Sequence, residues 1–269
     1  MTVTPGQDET VTTYVGTSGW QYRDWRGPFY PADLPQNRWL EHYAARFATV
    51  EVNNTFYRLP ERSTFEEWAA RTPDDFVVSM KASRYLTHIR RLRDPSEPVT
   101  RMLDHARGLK QKLGPVLLQL PPNLAADPTR LKETLARFPG DIRVAFEPRH
   151  SSWFTDETYD VLAARNAALC LTDRLGKRGP MARTADWYFL RFHEGMARPH
   201  PCYGDRALAG WAERLADHWP NAADGYVFFN NDARACAVRN AARFAVLAER
   251  TGLKPTRTPK PSDIRIRGR

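Results

Sequence analysis

Eight short apolar runs, rich in β-branched and aromatic residues, recur along the chain with amphipathic segments between them. They cover residues 14–20 (YVGTSGW), 49–56 (TVEVNNTF), 76–83 (FVVSMKAS), 115–122 (PVLLQLPP), 143–150 (RVAFEPRH), 167–173 (AALCLTD), 187–194 (WYFLRFHE) and 225–232 (GYVFFNND). Nearly continuous apolar runs are what parallel strands covered on both faces require. The segments between them read as helices. In 37–47, Trp39, Leu40, Tyr43 and Phe47 fall on one face. Residues 63–72 begin with Ser63 and Glu66 at capping-box spacing. Residues 127–138, 155–166 and 206–219 follow the same plan, and a last helix from about Ala233 to Arg250 stops at Gly252. Only 174–186 breaks the alternation, reading as a loop or a short irregular helix.

Eight strands alternating with about seven helices predict an α/β fold, a single (β/α)8 TIM barrel. A doubly wound sheet is the runner-up, but no G-x-G-x-x-G follows the first strand. No linker or internal repeat divides the 269 residues. The expected organisation is an N-terminal extension (1–13), the barrel (14–253) and a disordered, Pro-rich basic tail (254–269). That tail carries +5 of the formal +9, which leaves +4 on the rest. A nucleic acid would therefore be held through the tail rather than on a broad basic face. Cys170, Cys202 and Cys236 are odd in number and without paired spacing, so no disulfide framework is read and a reducing cytoplasm is expected. No apolar run approaches the roughly 20 residues of a membrane helix, and no membrane partner is expected.

In such a barrel the C-terminal strand ends face the active-site mouth. Here they carry a dense polar set. Trp20 follows the first strand; Asn53 and Tyr57 end the second; Lys81 ends the third and Gln119 the fourth. The fifth supplies Glu147, Arg149 and then Trp153; the sixth Asp173; the seventh Arg191 and His193; the eighth Asn231. Lys81, Arg149 and Arg191 suit a phosphate or carboxylate. Trp20, Tyr57 and Trp153 offer flat faces to a ring, and Asn53, Gln119 and Asn231 can read hydroxyls or amides. Glu147 is the leading general acid/base, with His193, Lys81 and Asp173 beside it as catalytic candidates. The bland alternative is that Glu147 and Arg149 simply pair inside the barrel. Glu147, Asp173, His193 and Asp232 could together suit a divalent metal, yet no metal-ligand spacing supports it and the nearby cations oppose it, so no cofactor is predicted. There is no G-x-S-x-G, P-loop or C-x-x-C.

In order along the chain stand VGTSGWQYRDWRGPFYP, VEVNNTFYRLP, VSMKASRYLTH, LLQLPP, AFEPRHSSW, LRFHEG and FFNNDARACAVRNA. Together, from about Tyr14 to Gly252, they resemble the YecE-like family, domain of unknown function 72. The resemblance implies a TIM barrel and carries no activity with it. Two positions depart from the family's pattern: Pro148 stands where an aromatic is common, and Glu194 intervenes before Gly195.

The residues thus predict an enzyme acting on a small anionic, ring-bearing substrate such as a sugar phosphate or nucleotide fragment. A nucleic-acid-processing barrel and a noncatalytic ligand-binding barrel are the alternatives.

Overall fold

A computed structural model describes residues 12–220 and 224–265. The barrel strands are β1 (Thr12–Thr17), β2 (Thr49–Val52), β3 (Val77–Lys81), β4 (Leu113–Gln119), β5 (Val144–Glu147), β6 (Ala168–Arg174), β7 (Tyr188–Glu194) and β8 (Asp224–Phe229). All pair in parallel, in the order β1-β8-β7-β6-β5-β4-β3-β2. With a two-residue strand at Lys254–Pro255 added beside β1, the curled parallel sheet has nine strands among the described residues.

The main helices are α1 (Trp39–Ala44), α2 (Arg62–Ala70), α3 (Ser96–Ala106), α4 (Pro128–Leu135), α5 (Asp156–Ala163), α6 (Asp205–His218) and α7 (Cys236–Glu249). They follow every strand but β6. After β6 the chain folds back instead, with Lys177–Arg178 pairing antiparallel to Asp173–Arg174, so 174–186 holds no helix. Local chemistry sets several helix starts. Asp127 Oδ1 accepts the Arg130 N–H at 3.0 Å ahead of Pro128, and Thr155 caps α5. The expected Ser63–Glu66 capping box does not form: α2 starts one residue earlier, and Glu66 pairs with Arg62 at 3.1 Å instead.

The ladder stops between β1 and β2, and side chains close that seam. Tyr43 of α1 accepts the Thr17 N–H at 3.0 Å and donates to the Thr49 carbonyl at 3.1 Å. A Cβ on Gly16 would lie 2.4 Å from the Thr49 oxygen, so the two strands meet where only glycine fits.

Period-two alternation divides the side chains between two apolar layers. Val50, Val78, Leu118, Phe146, Leu171, Phe192 and Phe229 pack outward with the helices. Leu117, Ala145, Cys170, Phe189 and Phe228 form a separate cluster inside the barrel. That parity decides which polar residues reach the mouth.

The tail corrects the expectation. Residues 254–265 are not a free arm: Thr12 and Thr13 pair with Lys254 and Pro255, and Arg257 pairs with Asp75 at 2.7 Å and donates to the Ala44 carbonyl. Ile264 is buried. Proline and charge suggested solvation, but an ion pair, backbone pairing and one apolar anchor fasten the segment. Residues 266–269, and 1–11 of the expected extension, lie outside the described residues. A second correction concerns the thiols. Cys202 and Cys236, 34 residues apart, form a disulfide between the loop after β7 and the start of α7. Cys170 stays free and buried. Among the described residues no helix is long and apolar enough to cross a membrane.

Candidate active site at the barrel mouth

Strand alternation turns Asn53, Lys81, Gln119, Glu147, Arg149, Arg191 and His193 inward, on the parity of the interior cluster. The structure joins them in one network. Glu147, 1% exposed, lies at its centre. Its Oε1 accepts Gln119 Nε2 at 2.9 Å and Arg149 at 2.7 and 2.9 Å, while Oε2 accepts Arg191 Nη1 at 2.7 Å. Lys81 Nζ donates to Gln119 Oε1 at 2.6 Å. This fixes the amide orientation, because the other end of Gln119 must face the carboxylate as a donor.

Sequence reasoning missed Glu51. It is fully buried and takes two bonds from Arg191, at 2.8 and 3.2 Å, and one from Asn53 at 3.3 Å. The available signal was an acid inside a short apolar strand, two residues before Asn53 and therefore on its face.

These contacts set the protonation states. Burial alone would push the Glu147 carboxyl up, but the Arg191 and Arg149 charges outweigh it and hold it well below the usual carboxylate range. Burial, then the Arg191 charge, lowers Lys81 to about 8, against the pull of Glu51 and Glu147. Its ammonium also sits 4.0 Å from the Phe56 ring centre. Burial lowers His193 too; its Nε2 lies 3.2 Å from Glu147 Oε1 without the alignment of a hydrogen bond. Beside the neutral imidazole, the three cations Lys81, Arg149 and Arg191 surround the buried carboxylates of Glu51 and Glu147, and Asp232 interacts electrostatically with Arg191 and Glu51.

Three expectations need correction. Asp173 sits on the outward parity with Leu169 and Leu171, and its Oδ2 accepts the Trp211 N–H at 2.7 Å, so it cannot act in the mouth. Without it, the four side chains weighed as a metal set do not converge; among the described residues no group of three or more His, Cys, Asp or Glu side chains could hold a metal ion. Asn231 also turns outward and donates to Asn240 and to the Pro201 carbonyl, pinning the loop after β7. Trp153 is fully buried, donating to the Leu124 carbonyl and packing edge-on to Phe146, which leaves no face for a ligand. Glu147 keeps its central place, as a buried carboxylate that Arg149 and Arg191 hold ionised from either oxygen.

Trp20 is 5% exposed and packs edge-on to Trp68, although it borders a cavity at the mouth. Tyr57, on a one-turn helix (Asn54–Tyr57), is 81% exposed and borders a different cavity, with Phe56, Arg84 and Tyr85. Asp232, just past β8, is pushed up to about 7 by burial, helped by Asp24.

Comparison with known proteins agrees with this architecture. A DUF72 family protein from Thermotoga maritima MSB8 superposes with a TM-score of 0.77 at 29% identity, covering 88% of this chain and 99% of that one. A protein described as a xylose isomerase-like TIM barrel/4-hydroxyphenylpyruvate dioxygenase fusion shares the fold alone, with a TM-score of 0.51 at 14% identity over 90% of this chain and 43% of its own. The UPF0759 protein YunF of Bacillus subtilis (strain 168) is 26% identical over 281 residues, which cover 90% of this chain and 97% of that protein. Residues 14–263 match the family described as "Protein of unknown function DUF72". The chain belongs to the DUF72 family.

Proposed function

We propose that the barrel mouth is the active site of an enzyme acting on a small anionic, ring-bearing substrate, with Lys81 and His193 as the proton-transferring groups. One observation carries the reading. Lys81, with a pKa of about 8, shares a network with Arg149, Arg191 and a neutral His193, so that three cations gather at one barrel face. An amine poised near neutral pH can give or take a proton, and a neutral imidazole can do the same. Arg149, the more exposed of the two arginines, would hold the anion, while Glu147 and Gln119 orient Arg149 and Lys81.

A panel of sugar phosphates, sugar acids and nucleotides tests this by turnover. The reading expects Lys81→Met and His193→Asn each to lower turnover by about 100-fold or more while the fold is retained. Unchanged turnover in both variants contradicts it. Anion binding with no turnover by the parent chain would instead mark a noncatalytic binding barrel.

A further inference from the structure

Beside the cation network lies a cavity of about 200 Å3, bordered by Ser18, Gly19, Trp20, Tyr22, Asn53 and Asn54. Its lining is neutral, in contrast to the Lys81–Arg149 side. Two of its side chains carry buried oxygens with no hydrogen-bond partner: Ser18 Oγ and Asn53 Oδ1. Ser18 itself is fully buried. Buried polar atoms are rarely left unpaired. Both oxygens are closed to a water-sized molecule as the side chains stand, so a ligand in the cavity reaches them by a small shift of Ser18 and Asn53. The neighbouring acids repeat the pattern, since Glu51 Oε2 and Asp232 Oδ1 are also buried and unpartnered.

The backbone is arranged around this space. Gly19 has a φ of +109°, and a Cβ there would come 3.1 Å from the Tyr22 hydroxyl. The resulting turn lets Tyr22 donate to the Ser18 carbonyl at 2.6 Å. The cavity is also wired to the anion side: Asn53 donates to Glu51, which pairs with Arg191, which pairs with Glu147.

We infer that this cavity is a second subsite, one that receives the hydroxyl groups of a polyhydroxylated anion whose charged end lies against Lys81 and Arg149. The inference rests on the anion-binding reading above and names its substrate class. The chemistry favours hydroxyls over an amine. Asn53 Oδ1 only accepts, Ser18 Oγ can do both, and a hydroxyl group matches both while remaining neutral. An ammonium would lose its hydration against two neutral oxygens. The Trp20 and Tyr22 rings give the C–H face of a sugar an apolar wall.

Calorimetric titration of the full chain tests the subsite with four probes: inorganic phosphate, ribose 5-phosphate, O-phosphoethanolamine and free ribose. The subsite expects ribose 5-phosphate to bind about tenfold more tightly than phosphate, the worth of one to two hydrogen bonds. Ser18→Ala and Asn53→Ala should remove that gain, and Ser18→Ala should leave phosphate binding unchanged. Equal affinities for phosphate and ribose 5-phosphate overturn the subsite and leave the anion reading standing. A gain found with phosphoethanolamine instead overturns the choice of hydroxyls. If no phosphate compound binds, the anion reading falls; free ribose binding that is lost in Ser18→Ala would then still uphold the subsite, and its absence would overturn that too.

Discussion

Arg191 grips Glu147 at 2.7 Å through one terminal nitrogen and Glu51 at 2.8 Å through the other, with all three side chains at most 2% exposed. One guanidinium therefore balances two buried carboxylates from opposite parts of the sheet, β2 and β5. Removing it leaves Glu51 buried without that cation and leaves Glu147 to Arg149 alone.

Arg191→Met should destabilise the fold by about 3–5 kcal/mol, the cost of breaking a buried pair from one side. Glu147→Gln should cost less, because Arg191 keeps Glu51. Urea unfolding of the two variants measures the difference. A smaller loss for Arg191→Met than for Glu147→Gln would contradict the shared grip.

The β1–β2 seam predicts a different sensitivity. Tyr43→Phe removes the hydroxyl that serves both Thr17 and Thr49, at an expected cost of about 1–3 kcal/mol for the groups left unpaired. Gly16→Ala forces a Cβ onto the Thr49 carbonyl and should cost at least as much. Unfolding midpoints equal to the parent's would show that the seam closes by other means.

Much of this arrangement could be read from the sequence, and what could not has a physical cause. The eight strands were legible because each is a continuous apolar run. Lys81, Gln119, Glu147, Arg149, Arg191 and His193 were legible because charged and amide groups inside such runs have few other places to go. Asp173 and Asn231 were misread for want of parity. Asp173 alternates with Leu169 and Leu171 on the helix-facing side, whereas Cys170 shares the inner face and lies 3.9 Å from Glu147. Trp153 was misread because aromatic faces on strand-end loops serve packing as well as ligands. The tail and the Cys202–Cys236 bond depend on long-range contacts, to Asp75 and across 34 residues, that spacing alone does not encode.

The fastened tail makes its own prediction. Arg257→Ala gives up the pair with Asp75 and the bond to the Ala44 carbonyl, both partly exposed, and should cost about 1–2 kcal/mol in urea unfolding. A change within experimental scatter would mean that Arg257 does not hold the segment.

Asp232 predicts a pH effect whose sign can be worked out. Its folded pKa of about 7 lies above the unfolded value of roughly 3.9. Between those values the native chain holds a proton that the unfolded chain has lost, so Asp232 makes stability fall as pH rises through the window. Asp232→Asn should lack that fall and gain relative to the parent as pH rises from 4.5 to 7. Parallel stability curves for the two proteins would contradict it.

The central claim is that Lys81 is a reactive amine at an anion site, and its chemical modification tests this most directly. With a pKa of about 8, Lys81 should be acylated ahead of ordinary surface lysines at neutral pH, with a rate that levels off above about pH 8. Peptide mapping after limited acylation reads the site, and added phosphate should protect it while leaving surface lysines unaffected. Preferential, phosphate-protected labelling of Lys81 is the predicted result. Labelling no faster than that of other lysines, or unchanged by phosphate and by ribose 5-phosphate, would contradict the account.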